Sequence, residues 1–161
     1  MPVRLRTLDL PTLDTTQVDD YALFVASDER PLWGLGGLID WRLAGALSAH
    51  LREGMVSGEP GESFLTTVGT TLPGKRIFTF GLGPLAQIRP EVFSIAAARA
   101  VTTLQRAQAA SLAIGLPEQP SLAKSARALV NALKPLEGID VSLFGPMPEL
   151  GVVLPELVAR K

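Results

Sequence analysis

The chain has 161 residues, 47% of them hydrophobic and 19% charged, with a net charge of −1 and no cysteine. That length and apolar content fit one domain, residues 1–161, with a substantial core, and they exclude a disordered chain or two ordinary domains. Disulfides and thiolate metal sites are excluded with the cysteines, and no segment reaches the roughly 18 uncharged apolar residues of a spanning helix, so no membrane is expected.

The charge is unevenly spread: residues 1–62 carry five Lys/Arg against ten Asp/Glu, and residues 63–161 carry ten against six. A strong DNA binder concentrates far more basic charge on one domain, so DNA is the weakest of the partners considered. Arg4 and Arg6 lead into Asp9, Pro11 and Asp14 instead of an apolar run, which gives no signal peptide and a cytoplasmic reading.

In chain order, Val3 to Leu8 alternates as a half-exposed strand that Pro11 closes, and a polar linker with Asp14, Asp19 and Asp20 follows. Tyr21 to Ala26 is short and apolar, as in a strand covered on both faces. Asp28 to Pro31 turns the chain into a glycine loop, Trp33 to Gly37. Leu43, Leu47 and Leu51 then mark a helix from Asp40, its expected N-cap, to Glu53, with Gly54 as the stop. Ser63 to Thr70 alternates as an edge strand rich in Thr, and Pro73-Gly74 turns into the strand Lys75 to Phe80, which empties into Gly81-Leu82-Gly83.

Pro90 and Glu91 open a long Ala-rich helix to about Ala109. Ser111 to Leu116 is a further short strand, ending in Gly115, with Pro117 and Pro120 behind it. Ser121 caps a third helix, which Pro135 and Gly138 end, and Ile139 to Phe144 is the last strand. In the segment 145–161, Pro146, Pro148 and Pro155 oppose regular continuation. Strands alternating with helices predict an α/β three-layer sandwich, with helices on both faces of a mixed, mostly parallel sheet.

For chemistry, Gly81 to Ala86 has the spacing of an alanine-ended dinucleotide fingerprint. However, Pro84 intervenes, the helix begins only near Pro90, and no acidic residue stands about 20 positions on. No cofactor is expected. Gly34, Gly36 and Gly37 either direct backbone N–H groups toward a phosphate or form a tight turn that lets the helix pack, and the turn is the preferred reading. Three glycine turns, at Gly34 to Gly37, Gly81 to Gly83 and Gly115, follow three strands and would converge at one sheet edge, where Asp28 is the residue placed to hold a base. Trp33 and Trp41 flank the first loop, where they either stack on a base or, the preferred reading, serve as partly buried packing residues or interface anchors. His50, the single histidine, shares a helical face with Leu43 and Leu47 and reads as a packed side chain. One His, no Cys and scattered carboxylates supply neither a His-rich metal site nor a Ser-His-Asp triad.

Tyr21 to Ser27, Leu38-Ile39-Asp40 leading through a Leu-rich helix to Gly54, Ser57 to Glu62, and Gly74 to Gly83 together resemble the N-terminal domain of the leucyl aminopeptidase family. The similarity covers residues 18–116 and continues into the Ala-rich helix. It implies a fold similar to macro domains, which are known for binding ADP-ribose. It also implies a role apart from catalysis, because the family's two-metal site and its Asn-Thr-Asp-Ala-Glu-Gly-Arg stretch belong to a separate C-terminal domain and find no counterpart here. In that family this domain helps to organise a hexamer and, in some bacterial members, contributes to DNA binding. The expectation is a non-enzymatic protein-interaction or oligomerisation module with Trp33 and Trp41 at its interface. The alternative is a module of macro type that binds a nucleotide or ADP-ribose through Asp28 and the glycine turns, and a DNA-binding accessory domain is a further one.

Overall fold

A computed structural model of the chain describes residues 3–117 and 121–158; Pro120 and the last three residues of the 145–161 segment lie outside them. The elements are β1 (Val3–Thr7), α1 (Leu10–Thr15), β2 (Asp20–Ala26), α2 (Gly34–Arg42), α3 (Ala46–Arg52), β3 (Ser63–Thr67), β4 (Arg76–Gly83), α4 (Pro90–Arg106), β5 (Ser111–Gly115), α5 (Leu122–Leu133), β6 (Asp140–Gly145), α6 (Met147–Val153) and α7 (Pro155–Val158). The sheet order is β1-β6-β5-β2-β4-β3, parallel throughout except for β3, which runs antiparallel to β4 at one edge.

The period of two along β2 splits its apolar residues between two cores. Ala22, Phe24 and Ala26 join Phe93, Ala97, Ala100 and Leu129 under α4 and α5, whereas Tyr21, Leu23 and Val25 join Leu13, Leu35, Ile39 and Leu47 under α1, α2 and α3. All seven residues of β2 are buried, as a strand covered on both faces requires. The expected three-layer sandwich is therefore the observed architecture. Ala96, Ala97 and Ala100 let α4 lie close to the sheet, and Phe93 meets Phe24 edge to face at 5.0 Å between ring centroids.

Several local expectations are corrected. The helix predicted from Asp40 to Glu53 begins earlier, at Gly34, and is cut in two where Ala44 and Gly45 take positive φ values of 53° and 82°. Asp40 does act as a cap, but for the second piece: its carboxylate accepts the Ser48 N–H at 3.0 Å and also the Ser48 hydroxyl. The polar linker contains α1, where Asp9 accepts the Thr12 N–H at 2.8 Å and Pro11 sits in the first turn rather than closing the preceding strand. β3 stops at Thr67 because Gly69 turns at a φ of 76°. Gly81 and Gly83 are the last residues of β4 and not a loop beyond it. The prolines after β6 begin helices instead of preventing them, since a first turn needs no N–H from proline, and Leu150 and Leu154 of this segment are fully buried.

Candidate functional site

The parallel strands β2, β4, β5 and β6 end along one edge of the sheet, and the chain's own segments fill the glycine positions there. At Gly81 an added Cβ would lie 1.9 Å from the Glu59 carbonyl oxygen. The Gly81 N–H donates to the Glu62 carbonyl at 3.0 Å and the Gly83 N–H to the Gly58 carbonyl at 2.8 Å, while the Gly83 carbonyl accepts the Ser27 N–H at 2.9 Å. The small size of these glycines therefore serves to seat the segment 58–62 against the end of β4. Gly115 at the end of β5 lies under Leu35, whose Cβ would be 2.8 Å from an added Cβ, and Gly145 at the end of β6 lies under Leu150 in the same way, at 2.5 Å.

The segment 57–62 is held by its own carboxylate. Glu62 accepts the Ser57 N–H, the Ser57 hydroxyl at 2.8 Å and the Gly58 N–H at 2.6 Å. Partial burial would raise its pKa, but these donors together with the Glu59 N–H outweigh burial and hold it below its ordinary value.

The expected base-holding residue, Asp28, is exposed and its Oδ1 accepts the Leu85 N–H at 2.8 Å, which ties the exit of β2 to the exit of β4. Beside it stands Glu29, which the sequence places among the charges of the turn from Asp28 to Pro31. Glu29 is buried, and its carboxylate accepts the N–H of Trp33, the N-cap of α2, at 3.1 Å and the Ala26 N–H at 3.5 Å. A carboxylate of the chain thus lies at the approach to α2, where the helix dipole favours negative charge. The signal available in sequence was Glu29 four residues ahead of Trp33.

Gly34, Gly36 and Gly37 form the first turn of α2. Gly34 has a φ of 57° beside the Leu116 carbonyl, Gly36 faces Leu23, and Gly37 leaves no room for a Cβ against the Leu32 carbonyl, 2.5 Å away. The structure thus brings the first loop and Gly115 together through Leu35, and joins the Gly81–Gly83 end of β4 to Asp28 through Leu85. Trp33 and Trp41 are 52% and 73% exposed. Trp41 borders an open groove of about 510 Å³ together with Pro31, Leu32, Gly37, Asp40, Ala44 and Gly45. His50 packs against Phe64 at 5.5 Å between rings, and its buried Nδ1 has no hydrogen-bond partner among the described residues. Among the described residues, no three His, Asp or Glu side chains gather as a metal site would need, and no helix is long and apolar enough to cross a membrane.

A six-stranded sheet in this order, with one antiparallel edge strand and helices on both faces, defines an α/β sandwich of macrodomain type. Solved structures agree. The Trypanosoma brucei macrodomain in complex with ADP-ribose aligns with a TM-score of 0.70 at 19% identity, covering 97% of this chain and 68% of that one. The macrodomain of Mycobacterium tuberculosis DarG aligns with a TM-score of 0.69 at 15% identity, covering 89% and 97%. A tomato leucine aminopeptidase mutant aligns with a TM-score of 0.63 at 19% identity over 98% of this chain, which spans only 35% of that enzyme. No curated protein sequence matches the chain. The family model of the N-terminal domain of the cytosol aminopeptidase family matches residues 22–135, and the chain belongs to that family.

Proposed function

We propose that the domain is a non-catalytic interaction module whose contact surface centres on Trp33 and Trp41. One observation carries this reading: both tryptophans of the chain stand exposed on α2 and its N-cap, one of them bordering a groove, while the glycine positions at the strand ends hold the chain's own atoms. Large aromatic side chains that combine apolar area with a polar N–H are the residues on which interfaces concentrate binding energy. In the test, the wild-type chain and a Trp33→Ala/Trp41→Ala variant are immobilised side by side, with light scattering on each. A partner or self-association held by the wild type and lost in the variant is expected. A strictly monomeric wild type that retains no partner would sink the proposal. Release of amino acid from leucyl-p-nitroanilide with Mn²⁺ or Zn²⁺, surviving repurification, would show that the domain is an enzyme after all.

The second reading is a nucleotide or ADP-ribose module. It is favoured by the fold shared with a macrodomain solved with ADP-ribose and by the first turn of α2, which has no side-chain cap. Against it stand the Glu29 carboxylate at the Trp33 N–H and the committed N–H groups of Gly81 and Gly83. Titration calorimetry with ADP-ribose separates the readings: saturable heat would promote the second, and no heat at millimolar ligand would retire it. DNA binding ranks below both, and a gel shift that weakens with added salt would be needed to raise it.

A further inference from the structure

The two edges of the sheet are guarded differently. β1 carries Arg4 and Arg6, the kind of charged side chain that discourages a further strand, whereas β3, Ser63-Phe64-Leu65-Thr66-Thr67, has neither charge nor proline and none of its five residues is buried. The pairing of β3 with β4 fixes which of its backbone groups face outward. The Gly81 N–H donates to the Glu62 carbonyl and the Val68 N–H to the Lys75 carbonyl, so the hydrogen-bonded pairs in this antiparallel register are 62 with 81, 64 with 79, 66 with 77, and 68 with 75. The N–H and C=O groups of Ser63, Leu65 and Thr67 therefore point away from the sheet. Among the described residues no hydrogen bond takes them up.

We propose that this edge pairs with a second copy of the chain, β3 against β3 about a two-fold axis through Leu65, giving one continuous twelve-stranded sheet. The outward residues 63, 65 and 67 are symmetric about Leu65. An antiparallel copy centred there sets Leu65 opposite Leu65 and Ser63 opposite Thr67 twice, and each pair exchanges two N–H···O bonds with no charged side chain opposed. The occupant assigned is a second copy because such a copy meets exposed Leu65 with Leu65 and opposes no charge along the uncharged strand. Leu65, 54% exposed, stands on the α4 face because its neighbour Phe78 belongs to that core. On the other face Phe64 packs against His50. The inference rests on reading the domain as an interaction module, but its surface is separate from the tryptophans.

The chain has no cysteine, so single thiols test the register directly. In the proposed pairing the two Leu65 Cα atoms lie about 5.5 Å apart, within disulfide reach, whereas Ser63 lies about 13 Å or more from its own copy. Under mild oxidation at equal concentration, Leu65→Cys is expected to cross-link at least ~10-fold faster than Ser63→Cys, and a mixture of Ser63→Cys with Thr67→Cys to yield the mixed dimer. Sedimentation of the Trp33→Ala/Trp41→Ala chain, in which association through the tryptophans is removed, should show a concentration-dependent dimer that a further Leu65→Lys abolishes, with circular dichroism unchanged. The Trp33→Ala/Trp41→Ala variant should leave the cross-linking rate as it was, so failure of the tryptophan surface and failure of this edge are read separately. Equal cross-linking of Leu65→Cys and Ser63→Cys, or a dimer that survives Leu65→Lys, would overturn the proposal, as would a monomer at every concentration.

Discussion

Arg76 grips Asp20 with two parallel hydrogen bonds, Nε to Oδ1 at 2.7 Å and Nη2 to Oδ2 at 2.8 Å, joining the first residues of the neighbouring strands β2 and β4. The same guanidinium donates to the Ala107 carbonyl beyond the end of α4 and stacks over Phe78. The two partners are not equally buried: the Asp20 side chain is 2% exposed and that of Arg76 34%. Arg76→Ala strands a carboxylate away from water and should cost about 3 kcal/mol or more, whereas Asp20→Ala leaves a cation that still reaches solvent and should cost less. Urea unfolding of both single variants and the double variant checks this, and a double variant less stable than Arg76→Ala would contradict it.

Tyr21, the only tyrosine, is buried and donates its hydroxyl to the Pro73 carbonyl at 2.5 Å. Burial, and after it the Asp14 carboxylate, pushes its pKa from 10.0 up to about 12. The folded state thus favours the neutral phenol. That stability is fully present below the unfolded pKa near 10 and is lost as pH rises toward 12. An ultraviolet phenolate titration reports this one residue: native protein should titrate near 12 and urea-unfolded protein near 10. A native midpoint near 10 would mean that the ring is solvated.

Neighbouring glycines should respond in opposite directions to gaining a methyl group. Gly36 is helical, has ordinary φ, and its added Cβ would sit 3.8 Å from Leu23 Cδ1, so Gly36→Ala should stabilise by about 0.5–1 kcal/mol. Gly37→Ala drives a Cβ to 2.5 Å from the Leu32 carbonyl oxygen, and Gly81→Ala drives one to 1.9 Å from that of Glu59; both should destabilise. Thermal melts of the three variants, read against the wild type, test the signs.

Glu62, held below its ordinary pKa of 4.5 by the Ser57, Gly58 and Glu59 donors against the opposing effect of burial, should make the segment 57–62 sensitive to acid. A depressed carboxylate contributes its stability above the unfolded pKa and loses it as pH falls through the folded value. Hydrogen exchange at the Ser57 and Gly58 amides, corrected for intrinsic rates, should lose protection below pH 4.5 in the wild type. In Glu62→Gln that pH dependence should disappear.

The layered architecture was legible in the sequence because β2 and α4 state their surroundings locally. An unbroken apolar run has to be covered on both faces, and a helix with an alanine stripe has to lie near a sheet. Ser121 and Pro90 likewise marked their helix starts, since a cap is a matter of three adjacent residues. What the sequence could not state was which segment would occupy each glycine. Gly81 is separated from Glu59 by a whole strand and a turn, and Gly115 from Leu35 by about half of the chain, so only the folded chain shows that one seats a loop and the other a leucine. Glu29 reads as a solvated loop charge until β2 and α2 enclose it, and Asp40 as the cap of its own helix until Ala44 and Gly45 break that helix and Ser48 becomes its partner. Propensity and periodicity act over a few residues and are written in local order. The occupancy of a cavity, the burial of a charge and the outward row of Ser63, Leu65 and Thr67 depend on contacts between distant segments, which only tertiary structure decides.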